Sequence, residues 1–150
     1  MAFVTVGDLS VCYERRGDGA ALLVISGTGS DLRVRRGTLD GPLPGRFDVL
    51  AYDQRGLGQT SKPDIPYTMA DYADDAAGLM TAIGWESAHV VGLSFGGMVA
   101  QELALRHPGR VRRLVLGCTS PGGAGCRFCA CAQAAGSRPS SRTASYGRSS

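Results

Sequence analysis

A Gly-x-Ser-x-Gly turn joins two apolar patterns of different period, and it constrains the fold of this chain more than any other feature. The turn occupies residues 92–96 and centres on Ser94. Residues 89–91 before it are mostly β-branched and predict a buried strand, whereas apolar residues from Phe95 onward recur at helical spacing. A strand, such a turn and a helix in this order favour a nucleophile elbow. The alternative is a glycine-rich turn that only packs a helix against a strand.

The chemistry of an elbow explains the spacing of these residues. A sharp turn strains the backbone of its central residue, so that the Ser94 hydroxyl projects clear of the sheet. Side chains at Gly92 and Gly96 would collide where the strand and the helix approach each other. The Phe95 amide then lies at a helix N-terminus, which favours an anion. Ser94 is therefore a candidate nucleophile, and Phe95 a candidate donor to the oxyanion that forms when a serine attacks an ester.

Length and composition indicate one soluble globular domain. The chain has 150 residues, 43% of them hydrophobic and 19% charged, enough for a sizeable core. No apolar run approaches the ~20 residues of a membrane span, and the N-terminus lacks the pattern of a signal peptide. We therefore expect a cytoplasmic protein without a membrane partner. Of the net charge of +3, residues 126–150 contribute +4 through four arginines and no acid, and residues 1–125 contribute −1. The body of the chain therefore gives no reason to expect nucleic acid.

Strands that alternate with helices predict an α/β fold, with a mostly parallel sheet and helices on both of its faces. The predicted strands are residues 3–6, 11–16, 21–25, 47–52, 89–91 and 111–118, and the first two form a hairpin around Gly7-Asp8. A weak helical pattern covers residues 33–39, before Pro42 and Pro44.

A second, amphipathic helix is predicted from the N-cap Thr68 to about Ile83. We assign Asp71, Asp74 and Asp75 to its outer face, where they suit the positive end of the helix dipole. A metal site at these three acids is the alternative.

Two further loops follow predicted strands and are expected to meet Ser94 at the carboxyl rim of the sheet. The loop at residues 26–31 consists of small residues and can present backbone N–H groups to a ligand, although an ordinary turn has the same composition. In the loop at residues 53–61, Asp53 and Arg55 are close enough to pair, and we interpret it as a structural turn held by that ion pair. Cys12 and Cys118 lie in strand-like contexts and are interpreted as buried thiols.

Four segments, in this order, resemble the α/β-hydrolase family. They are Ser26-Gly27-Thr28-Gly29, Asp53-Gln54-Arg55-Gly56-Leu57-Gly58, Gly92-Leu93-Ser94-Phe95-Gly96-Gly97 and Arg106-His107-Pro108-Gly109-Arg110-Val111. The resemblance spans residues 3–122 and the N-terminal half of that fold. It implies Ser94 as the nucleophile, with the Phe95 amide and an amide near Thr28 as the oxyanion hole. This chain has Ser26-Gly27 where the family commonly has His-Gly.

The resemblance also implies the class of reaction. Dehalogenases and epoxide hydrolases carry aspartate where this chain has Ser94, so a serine here implies hydrolysis of a small ester, lactone or related acyl compound. The lactonase and esterase branch is the nearest, followed by members similar to non-haem haloperoxidases. No cofactor and no metal are implied.

The acid and the base of the family's catalytic triad have no evident counterpart in this sequence. The triad runs Ser, then Asp or Glu, then His, but the only acid after Ser94 is Glu102, on the helix that follows the elbow. His107 ends that helix about 20 Å from Ser94, at ~1.5 Å per residue, and His89 begins the elbow strand at the opposite end of the sheet. We interpret both histidines as structural. The sequence therefore supports two hypotheses: a serine hydrolase, or a catalytically inactive fragment that is inert or depends on a partner.

The composition changes near residue 125, which predicts a domain over residues 1–122 and a disordered Arg/Ser/Ala/Cys-rich tail over residues 123–150. Cys126, Cys129 and Cys131 could bind a metal, but no second ligand pair of the usual spacing follows. Our hypothesis is that the reading frame is lost near Gly125. Residues 111–118 would then form a bare sheet edge, through which self-association is one expected consequence.

Overall fold

The computed structural model describes residues 1–34 and 37–121, in which six strands form a single sheet. The strands are β1 (Ala2–Val6), β2 (Leu9–Arg16), β3 (Ala20–Ile25), β4 (Phe47–Tyr52), β5 (Ala88–Leu93) and β6 (Val111–Gly117); the α-helices are α1 (Met69–Ala82) and α2 (Phe95–Arg106); and single 3-10 turns cover Thr38–Asp40, Leu43–Gly45 and Pro108–Arg110. The tail predicted at residues 123–150, with its three cysteines, lies outside the described residues.

The sheet is mostly parallel, as the sequence predicts. Its order is β1-β2-β4-β3-β5-β6; β3, β4, β5 and β6 run parallel to one another, while β1 and β2 form an antiparallel hairpin that continues the sheet beyond β4. The apolar runs at residues 22–25 of β3 and 49–52 of β4 reflect the central position of these strands, because a strand covered on both faces buries side chains on both sides. The α/β class is therefore confirmed.

Helical elements cover both faces of the sheet, but unequally. Both α-helices pack against the face formed by Leu23, Leu50 and Val90, whereas the 3-10 turns supply Leu39 and Leu43 to the opposite face. Right-handed crossovers explain this division, since the connections from β4 to β5 and from β5 to β6 proceed in the same direction along the sheet and must lie on the same side.

The connection from β3 to β4 differs from the prediction. In place of the weak helix at residues 33–39, the structure has a turn over residues 31–34 and the 3-10 turn Thr38–Asp40; residues 35 and 36 are not described. Among the described residues of this segment only Leu39 is buried, and Gly37, which directly precedes the 3-10 turn, has an extended backbone. A longer helix is therefore not supported here by packing.

Helix α1 begins at the predicted N-cap, but one of its three acidic residues lies on a different face from the one predicted. Thr68 is the N-cap: its hydroxyl accepts a 3.2 Å hydrogen bond from the Asp71 amide, and the Asp71 carboxylate accepts one of 2.7 Å from the Thr68 amide. Asp74 is exposed as expected, whereas Asp75 is buried, with 7% of its surface exposed. The assignment of Asp75 to the outer face was wrong, because its carboxylate is neutralised by a buried arginine.

The two cysteines of the described region differ in their exposure to solvent. Cys12 is fully buried in β2, as predicted, but Cys118 is exposed. Cys118 follows the end of β6, an outer strand of the described sheet, and its φ of 51° turns the chain away from the strand. The prediction of a buried Cys118 was wrong because it assumed a strand covered on both sides. Within residues 1–34 and 37–121, no helix combines the length and apolarity needed to span a bilayer.

Candidate active site

Ser94 occupies the sharp turn between β5 and α2. Its φ is 54° and its ψ is −120°, a combination that costs an L-residue conformational energy. Its amide donates a 2.9 Å hydrogen bond to the Gly117 carbonyl at the end of β6, and its own carbonyl accepts one of 2.9 Å from Gly97. The Ser94 side chain makes no capping bond to α2. The turn therefore fixes the Ser94 backbone firmly and leaves its hydroxyl uncommitted to the helix.

The glycines on either side of Ser94 allow the turn to close. A Cβ on Gly96 would lie 2.1 Å from the Ile25 carbonyl oxygen, and a Cβ on Gly92 would lie 2.6 Å from the Gly96 carbonyl oxygen. Real side chains never approach so closely, so the predicted steric reason for both glycines is confirmed. The close packing brings the first turn of α2 directly over the end of β3.

The loop that follows β3 lies against Ser94. A Cβ on Gly27 would be 3.2 Å from the Ser94 Cβ and 3.7 Å from the Ser94 Oγ. A tight turn follows, in which the Ser30 amide donates a 3.3 Å bond to the Gly27 carbonyl and Gly29 has a φ of 77°. Thr28 is exposed within this turn. Phe95 is the first residue of α2, where amides have no partner within the helix. The loop after β3 and the first turn of α2 therefore both border Ser94.

The loop that follows β4 contacts the same region, but not through the predicted ion pair. The Asp53 carboxylate accepts 2.8 Å hydrogen bonds from the amides of Leu32 and Gln59, and Arg55 pairs with Asp75 instead. The prediction of an Asp53–Arg55 pair was wrong because backbone amides already occupy both oxygens of the Asp53 carboxylate, whereas the Arg55 guanidinium reaches Asp75 on α1. The loop is a structural turn, as interpreted, but buried Asp53 organises it through backbone amides.

Asp75 is a residue that the sequence analysis placed on the wrong face, although a signal was present. Tyr72, Asp75, Ala76 and Leu79 follow the i, i+3, i+4, i+7 spacing of the inner stripe of α1. A carboxylate on such a stripe requires a buried cation, and Arg55 supplies it at 2.6 Å. The hydrogen bond from this guanidinium to Asp75 raises the pKa of Arg55, so the arginine stays charged.

An aromatic row connects this ion pair to the elbow. The Arg55 guanidinium lies 5.4 Å from the centre of the Tyr67 ring. The Tyr67 ring packs edge-to-face against Tyr72 at a centroid distance of 5.9 Å, and Tyr72 packs in the same way against Phe95 at 5.1 Å. Such T-shaped contacts fix ring orientation. The side chain of Phe95 is thereby held while its amide remains at the start of α2.

Both histidines of the chain make contacts away from Ser94. His107 Nε2 lies 2.7 Å from an Asp74 carboxylate oxygen, and Arg106 binds the same carboxylate. These bonds, from Arg106 first and His107 second, lower the pKa of Asp74. His89 lies at the start of β5, edge-on to Phe47 at 6.3 Å. In the described part of the chain, no group of three or more His, Cys, Asp or Glu residues is arranged to hold a metal ion.

The family model of the alpha/beta hydrolase fold matches residues 20–126. "Putative carbamate hydrolase RutD" of Azorhizobium caulinodans is 34% identical over 116 residues, which cover 77% of this chain and 43% of that protein. Among solved structures, a hydrolase from Pseudomonas aeruginosa superimposes with a TM-score of 0.79 at 36% identity and covers 89% of this chain and 51% of its own.

The chain is also similar in structure to a lactonase. The enol-lactonase from Burkholderia xenovorans superimposes with a TM-score of 0.70 at 30% identity, covering 75% of this chain and 45% of its own. The chain thus spans about half the length, or less, of these three proteins.

Proposed function

Because this chain belongs to the α/β-hydrolase family, we propose that it is a serine hydrolase of small esters, lactones or related acyl compounds, with Ser94 as the nucleophile. The observation that carries the proposal is the strained Ser94 backbone, with φ 54° and ψ −120°, at a turn against which the loop of Gly27 is packed. The similarity to an enol-lactonase supports the substrate class.

The proposed chemistry uses the groups around Ser94. Its Oγ forms a bond to the substrate carbonyl carbon while the hydroxyl proton passes to a base, and the carbonyl electron pair moves onto oxygen. The Phe95 amide and an amide near Thr28 stabilise this oxyanion. When it collapses, the bond to the leaving oxygen breaks and that oxygen takes up a proton. Water then hydrolyses the acyl-serine and regenerates Ser94.

One observation favours a second candidate, a hydrolase scaffold that does not turn over unaided. The two histidines of the chain, His89 and His107, contact Phe47 and Asp74 rather than Ser94. A serine without its base retains only the contribution of the oxyanion hole and substrate binding, a loss on the order of 10⁴–10⁶ in rate. On this hypothesis the chain is inert alone or obtains a base from a partner.

Hydrolysis of p-nitrophenyl acetate by the purified chain distinguishes the two candidates. The wild type is compared with Ser94→Ala and with a matched control, Ser87→Ala, at the opposite end of β5. Ser87 accepts a 2.8 Å hydrogen bond from Arg112 and lies far from the elbow along the strand.

A rate that is lost in Ser94→Ala and kept in Ser87→Ala supports a serine hydrolase. Equal, near-background rates in all three proteins, with circular dichroism showing that each is folded, support the inert scaffold. A rate above background that is unaffected by Ser94→Ala would contradict the assigned nucleophile.

A further inference from the structure

Two consecutive residues after β4, Asp53 and Gln54, reach across to the loop that follows β3. Both are buried, with 1% and 0% of their surfaces exposed. The side-chain hydrogen bonds of both residues within the described chain go to groups other than Ser94. Each instead binds one end of the segment that carries Gly27 and Thr28.

Gln54 holds the beginning of this segment. Its side-chain amide donates a 2.8 Å hydrogen bond to the Ser26 carbonyl. The same carbonyl lies under α2, since a Cβ on Gly96 would come within 2.4 Å of its oxygen. The Ser26 carbonyl is therefore fixed between the Gln54 amide and the first turn of α2. The other polar atom of the side chain, Oε1, is buried without a hydrogen-bond partner in the described residues.

Asp53 holds the end of the segment. One carboxylate oxygen accepts the Leu32 amide at 2.8 Å, and the other accepts the Gln59 amide at 2.8 Å. The backbone wraps closely around this carboxylate, because a Cβ on Gly58 would lie 2.1 Å from its Oδ2. The carboxylate thus joins the two loops through hydrogen bonds to a charged acceptor, which are stronger than those between neutral groups.

We propose that Asp53 and Gln54 are positioning residues that clamp residues 26–32 at both ends and so hold the backbone donor near Thr28 beside Ser94. This inference rests on the proposed function for the role of that donor, but not for the clamp itself. An oxyanion donor must be fixed before the reaction, because a mobile amide would lose its advantage over water. The turn from Gly27 to Ser30 has one internal bond, of 3.3 Å, so its position depends on its ends.

Deuterium uptake of the full chain, read by mass spectrometry over peptides covering residues 26–32, tests the clamp directly. Gln54→Met keeps the size of the side chain and removes the donor, and we expect opening of this segment to increase about fivefold to tenfold. Asp53→Asn should have a similar effect on the amide of Leu32. Asp48→Asn is the matched control, since Asp48 is a buried carboxylate at the other end of β4, bound to Arg15 at 2.8 Å.

Gln54→Glu adds a readout that general destabilisation would not produce. A protonated carboxyl can donate to the Ser26 carbonyl, whereas a carboxylate cannot. In Gln54→Glu, the protection of residues 26–32 from hydrogen exchange should therefore be kept at low pH and lost as the pH rises through the pKa of the new carboxyl. Exchange in Asp48→Asn at the same pH is the reference. Gln54→Met should show no such dependence.

The consequence for Ser94 is measured with diethyl p-nitrophenyl phosphate, which phosphorylates an active serine. The Ser94 Oγ–P bond forms, the bond from phosphorus to the aryl oxygen breaks, p-nitrophenolate leaves and the hydroxyl proton passes to solvent. We expect Gln54→Met and Asp53→Asn to lower the labelling rate about tenfold or more, and Asp48→Asn to leave it unchanged.

The two proposals fail in different ways. A wild-type chain that is not labelled at Ser94 overturns the proposed function, while the uptake over residues 26–32 still decides the clamp. Unchanged uptake in folded Gln54→Met overturns the clamp, as does an equal increase in Asp48→Asn. If Asp53→Asn does not fold, as judged by circular dichroism, the two Gln54 variants decide the result, because the Gln54 side chain makes a single hydrogen bond in the described chain.

Discussion

The guanidinium of Arg55 donates hydrogen bonds of 2.6 and 2.7 Å to the two carboxylate oxygens of Asp75. This pair joins the loop after β4 to the inner face of α1, and only 11% and 9% of the two side chains are exposed. When one charge of a buried pair is removed, the other remains uncompensated away from water. The stability of the fold therefore depends on both partners being present.

Removal of one partner of this pair is expected to destabilise the protein strongly. Asp75→Ala should lower the free energy of unfolding by about 3 kcal/mol, whereas Arg55→Met combined with Asp75→Leu should recover most of that loss. Asp74→Ala, which breaks the exposed contacts with Arg106 and His107, should cost under about 1 kcal/mol. Urea unfolding followed by circular dichroism checks all three. A double variant no more stable than Asp75→Ala would be inconsistent with this account.

The strained backbone of Ser94 predicts a stabilising substitution. Its φ of 54° and ψ of −120° suit glycine better than any residue with a Cβ. Ser94→Gly and Ser94→Ala both remove the hydroxyl, but we expect the glycine variant to be more stable, by about 1 kcal/mol. Ser87 lacks a positive φ, so we expect Ser87→Ala to be more stable than Ser87→Gly. Thermal unfolding of the four variants measures this, and a Ser94→Ala more stable than Ser94→Gly would contradict the strain.

The capping box at the start of α1 predicts an acid-sensitive contact. Hydrogen bonds from the Thr68 hydroxyl and amide lower the pKa of Asp71 from its ordinary 3.8. Because the folded state depresses this pKa, the stabilisation is present above about pH 4 and is lost as the pH falls further. Asp71→Ala should therefore melt below the wild type at pH 7, and the two melting temperatures should converge towards pH 2. Asp64→Ala, on an exposed loop, is the control, and a difference that persists unchanged at pH 2 would refute the assignment.

We propose that the outer edge formed by β6 mediates self-association. In the described part of the chain this edge exposes Leu114, Val115 and Leu116, and an unpaired apolar strand is a template for another. Val115→Lys should shift the protein towards monomer, because lysines would meet when two such edges pair. Leu105→Lys replaces a leucine that is 79% exposed on α2 and should have no effect. Sedimentation velocity over a range of concentrations measures the distribution; a wild type that is monomeric throughout excludes the proposal.

Local patterns were sufficient for much of the fold. Apolar runs identified β3 and β4, Thr68 and Asp71 identified the start of α1, and the glycines around Ser94 identified the elbow, because each signal lies within a few residues along the chain. Where the local signal was weak, as at residues 33–39, the prediction of a helix was wrong, since among the described residues of that segment only Leu39 is anchored in the core.

The sequence by itself determined the six strands, the two α-helices and the elbow of this protein, because period and turn chemistry are properties of neighbouring residues. Only the tertiary structure decided which side chains meet. Asp53 binds the amide of Leu32 and Arg55 binds Asp75, although by charge alone either aspartate could form an ion pair with Arg55. Gly27 lies against Ser94 because β3 and β5 are neighbours in the sheet, 67 positions apart in the chain at this contact. Such contacts depend on strand order and crossover handedness, which no short segment of sequence contains.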